Sequence, residues 1–101
     1  MSESATLRGN GDGRYELAGA VTLATVTALR ERGLQAFGAG GGPIEVDLGG
    51  VARADSGALA LLVDWLAWAR AAGRELRYTA LPASLLALAR LSDTEDLLAG
   101  R

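Results

Sequence analysis

Two carboxylates and one hydroxyl stand where a strand runs into a helix: Asp47 inside Val46-Asp47-Leu48, then Asp55-Ser56-Gly57 at the head of a long apolar segment. At such a turn the unpaired N–H groups and the dipole of the helix concentrate positive potential, so a side-chain oxygen there is held and oriented. The simplest chemistry is helix capping, in which Asp55 or Ser56 accepts a hydrogen bond from a free N–H, worth about 1 kcal/mol. The second is presentation of a hydroxyl to a partner. A phosphate on Ser56 would be drawn by the helix end and opposed by Asp55 beside it, so the residues alone leave both states of Ser56 open.

Catalysis has little to work with. The 101 residues contain no Cys and no His, which excludes disulfides, thiolate chemistry, the usual zinc sites and a Ser-His-Asp triad. The glycine run 38–42 lacks the Lys-Ser/Thr of a phosphate-binding loop. No cofactor or metal site is expected. Ten arginines and no lysine against twelve acidic residues give a net charge of −2, which does not suit a nucleic-acid binder. The start, Met1-Ser2-Glu3-Ser4, has no signal-peptide pattern. The apolar stretch 57–69 is interrupted by Asp64 and falls short of the ~20 residues a spanning helix requires. A soluble, cytoplasmic single domain over residues 1–101 is expected, with no direct membrane insertion.

The elements that position the turn follow from periodicity. Residues 5–8 and 14–18 flank Gly9-Asn10-Gly11-Asp12-Gly13, a hairpin signal. Residues 22–37 space Leu23, Val26, Leu29 and Ala36 as a helix, which ends in the flexible connector 38–43. Ile44, Val46 and Leu48 alternate with Glu45 and Asp47 as a strand. A helix over 56–72 stops at Gly73, a strand spans 76–81, and Pro82 opens a helix to Leu91. Ser92-Asp93-Thr94-Glu95 matches a capping box before one last turn. The order is β-β-α-β-α-β-α: an α/β chain with a parallel βαβ unit and an antiparallel hairpin in one small mixed sheet.

The helix after Ser56 carries two apolar stripes. Leu59, Leu62, Val63, Leu66 and Ala69 should cover the sheet, leaving Ala58, Leu61, Trp65, Trp68 and Ala72 for neighbouring helices or a partner. Trp65 and Trp68 either pack beneath the flanking helices or anchor an interface, where Trp is enriched. Arg53 is placed at the tip of the turn, as a rim contact for an acidic patch.

The stretch from Ile44 to Leu62, with Asp47-Leu48 and Asp55-Ser56-Gly57 as its fixed points, resembles the signature of STAS domains. Within them it is most similar to the MlaB-type subunit of the Mla phospholipid ABC transporter. The resemblance implies the STAS fold, with helices mainly on one face of the sheet, and a non-enzymatic role. It implies binding to the transporter's cytoplasmic ATPase, and through it to membrane permease subunits, with peripheral placement at the inner membrane and a part in outer-membrane lipid asymmetry. The implied contacts are Arg53, Asp55, Ser56, Gly57, Leu61, Trp65 and Trp68. The runner-up is the anti-sigma-factor antagonist branch, whose kinase-switched members carry a phosphorylated hydroxyl residue where this chain has Gly57. Ala58 departs from the glycine usual at its position, and Gly49 from a common serine.

Overall fold

The computed structural model describes residues 4–98, so the expectation about Met1-Ser2-Glu3 falls outside it. Strands β1 (Ala5–Gly9) and β2 (Arg14–Val21) form the expected hairpin, closed by Asn10 N–H donating to Arg14 O at 2.8 Å. Gly11 and Gly13 turn the chain at φ +83° and +88°, where a Cβ would be strained. Helix α1 (Val26–Gly38) leads to β3 (Ile44–Ala54), α2 (Ser56–Ala71), β4 (Leu76–Thr79), α3 (Ala83–Leu91) and a single turn, α4 (Glu95–Leu98).

The sheet runs β1-β2-β3-β4, antiparallel at β1·β2 and parallel at β2·β3 and β3·β4. Both parallel crossovers step the same way across the sheet. Right-handed connections therefore put α1 and α2 on the same face. Leu17, Ile44, Val46, Leu48 and Tyr78 point into the layer between sheet and helices. The opposite face carries a charge ladder, in which Arg14 and Arg77 flank Glu45 at 3.9 Å and 2.8 Å.

The structure departs from the sequence reading in several places: β2 runs on to Val21 instead of ending at 18, the strand expected over 76–81 ends at Thr79, and four further differences have local causes. The segment 22–25 is a turn, not the start of α1, because threonine hydroxyls satisfy its backbone: Thr25 Oγ1 donates to Ala20 O at 2.8 Å and accepts from Thr22 N at 3.0 Å. Strand β3 continues through Gly49-Gly50 to Ala54, kept extended by pairing with β2 across two register shifts. Pro82 is the N-cap and not the first helical residue; its carbonyl accepts from Leu85 N and Leu86 N, both at 3.0 Å. The capping box does not form. Ser92 Oγ donates back to Leu88 O at 2.8 Å, and Glu95 pairs with Arg90 instead.

Candidate functional site

Strand β3 delivers Asp55 to the head of α2, where Asp55 is the N-cap. Its two carboxylate oxygens do different jobs. Oδ1 accepts from Gly57 N at 2.8 Å, closing the first turn of α2. Oδ2 accepts from Leu23 N at 3.2 Å, tying the turn after β2 to the same spot. Asp47 serves a separate bend, accepting from Gly49 N at 2.7 Å. The two aspartates thus bond to different backbone N–H groups.

Ser56, the first residue of α2, is exposed, and its hydroxyl makes no side-chain hydrogen bond among the described residues. Next to it Gly57 is buried. A Cβ at Gly57 would lie 2.8 Å from Leu23 N and 3.1 Å from Leu23 Cα. Gly57 is thus a fitting residue beneath the neighbouring turn, not a surface contact.

From Ser56 an open groove of about 640 Å³ runs between α1 and α2, with Ser92 and Thr94 on its far side. Val26 and Arg30 supply the α1 wall, and Ala60 and Val63 line the α2 side. Arg30 forms an ion pair with Asp64 across it. The lining is chiefly apolar, with Arg30, Glu31 and Asp64 as its charged residues. Among the described residues, no three acidic side chains gather to hold a metal ion, and no helix is long and apolar enough to cross a membrane.

The residues named from the sequence do not all meet here. Asp55 and Ser56 do. Arg53 is exposed on β3 in register with Ala20, within the strand and not at the tip of a turn. Leu61 and Trp65 are 3% and 0% exposed and lie in the core, not on the surface. The assignment of stripes on α2 is corrected: Ala58, Leu61 and Trp65 are the buried set, joined by Leu62 and Ala69, while Leu59, Val63 and Leu66 are half-buried. The reason lies in α1. Gly33 has no side chain, and Trp65 fills the space, its Nε1 donating to Arg30 O at 3.4 Å. Trp68 is half-buried, tilted against Phe37 at 5.9 Å between ring centroids, with the Arg74 guanidinium 5.7 Å from its own ring.

One residue near the site escaped the sequence reading. Leu23, placed in the apolar stripe of α1, is 70% exposed beside Ser56's turn. The signal available was Thr22 and Thr25 on either side, two residues that favour turns over helix interiors.

A family model described as "Mlab, STAS domain" matches residues 6–99. No curated protein sequence matches the chain. Among solved structures it is similar to the murine anion transporter Solute Carrier 26 family member A9 in the inward-facing state. That likeness has a TM-score of 0.60 at 14% identity, covering 91% of this chain and 17% of the transporter. It extends the fold assignment and nothing further.

Proposed function

The chain belongs to the MlaB-type STAS domain family, and from that premise we propose that it is a non-catalytic accessory subunit of a phospholipid-trafficking ABC transporter. In this reading it docks on the cytoplasmic ATPase, and through it joins the membrane permease subunits and the upkeep of outer-membrane lipid asymmetry. The observation that carries the reading is the pairing of an exposed, unbonded Ser56 hydroxyl with a buried Gly57 at one helix head. Ser56 is available for a permanent hydrogen bond to a partner. Gly57 supplies no oxygen at the position that the kinase-switched antagonists phosphorylate, and a side chain there would collide with Leu23. Both features favour constant docking over a phosphorylation cycle, and so the transporter branch over the anti-sigma-factor antagonist branch.

Such a subunit acts on an ATPase only by binding one of its conformations better than another. Arg53 and Asp55 flank the contact, Asp55 through the turn it fixes. Trp68 contributes only the part of its ring left open. The test is titration of the purified Mla-type ATPase with the wild-type chain, reading affinity and ATP turnover together. Saturable binding with a change in turnover supports the proposal, and absence of binding overturns it.

A further inference from the structure

Leu23 is an apolar side chain 70% exposed, yet the backbone of its turn is tied by hydrogen bonds at three successive N–H groups. Thr22 N and Ala24 N are bonded to the Thr25 and Thr22 hydroxyls at 3.0 and 3.3 Å, and Leu23 N to Asp55 Oδ2 at 3.2 Å. Asp55 N in turn donates to Val21 O at 3.4 Å. Gly57 completes the fit, since its missing Cβ leaves the space into which the Leu23 backbone settles. A large apolar group on a fixed turn loses little conformational freedom when it binds, which is what makes an effective anchor.

We infer that turn 22–25 and the head of α2 form one interlocked docking unit in which Leu23 is the apolar anchor, with Asp55 and Gly57 as its positioning residues. The inference rests on the proposed function for its occupant: the ATPase, offering an apolar pocket to Leu23 next to a hydrogen-bonding group for Ser56. Continuity carries that choice, because one carboxylate holds both the Leu23 turn and the helix turn that presents Ser56. Asp55 touches no partner in this scheme; it sets where Leu23 stands.

Two measurements test it. In the first, the ATPase is titrated with Leu23→Ser and Leu23→Met. Leu23→Ser should weaken binding at least about tenfold with an unchanged melting temperature, and Leu23→Met should stay within about threefold. Wild-type affinity for Leu23→Ser overturns the anchor. In the second, amide exchange at Leu23 and Gly57 is followed in the free chain with Asp55→Asn. An asparagine still caps α2 but has a single acceptor oxygen, so it serves Gly57 N or Leu23 N and not both. Faster exchange at either Leu23 or Gly57, with the rest of α1 and α2 still protected, supports the interlock; unchanged exchange at both overturns it. Absence of any ATPase binding by the wild-type chain defeats the proposed function and the anchor's stated occupant together. The exchange result still judges the interlock by itself.

Discussion

The two ends of α2 are built on opposite principles. At its head, small residues and one shared carboxylate leave Ser56 and Leu23 facing outward on a rigid frame. Toward its tail, Trp65 is driven into the core against Phe37 at 5.3 Å, edge to face, and Phe37 meets Tyr15 the same way at 5.0 Å. Aromatic bulk at the tail supplies stability; at the head only the small Gly57 and Ala58 turn inward beside exposed Ser56. A tryptophan is a common interface anchor, yet here Trp65 is buried in the core, and the proposed partner surface presents Ser56 and Leu23.

Substitutions can break or sharpen that contrast. The largest effect is expected at the tail: Trp65→Ala should cost about 3–5 kcal/mol in denaturant unfolding. Any loss of partner binding in that variant should track the unfolded fraction. Gly33→Val tests the same packing from the other helix, since a Cβ there would lie 2.5 Å from Trp65 Cζ2 and that indole has no room to move. Overpacking of this kind costs about 1–3 kcal/mol, again with no separate effect on affinity.

Tyr78 is a smaller test within the core. Its hydroxyl donates to Leu62 O at 2.7 Å on α2, and burial pushes its phenol well above the ordinary value of about 10. The folded chain therefore keeps this proton where the unfolded chain releases it. Stability is undiminished below pH about 10 and falls as pH rises further. Tyr78→Phe should remove that alkaline loss while costing about 1 kcal/mol at neutral pH, as shown by unfolding midpoints across a pH series. Smallest of all, Arg30→Gln, which breaks the half-exposed pair with Asp64, should change stability by no more than about 0.5 kcal/mol. A larger change would mean that the groove wall is structural.

Much of this organisation was legible in the residues, and the failures have physical causes. The strand–helix–strand core and a cap at the Asp55-Ser56 turn followed from period-two and helical spacing with polar side chains at the turn; that Asp55 and not Ser56 is the cap came from the structure. The reach of β3 to Ala54 did not, because residues 49–54 pair only with β2 and bury little, which erases the alternation. Leu23 imitated a helical stripe with Val26 and Leu29; the threonine hydroxyls that divert the backbone are polar contacts without periodicity. On α2 both stripes are apolar, so spacing could not decide which one faces inward. The deciding residue was Gly33 on another element, a mid-helix glycine with Leu29 and Phe37 one turn to either side.

The central claim is that partners engage the head of α2 and not its aromatic tail. Ser56→Glu tests it most directly, since an acidic residue in the first helical turn is favourable to the helix and should leave the fold intact. Titrated against the purified ATPase, Ser56→Glu should bind at least about tenfold more weakly than wild type, with an unchanged unfolding midpoint. Equal affinity for Ser56→Glu and the wild-type chain would contradict the account.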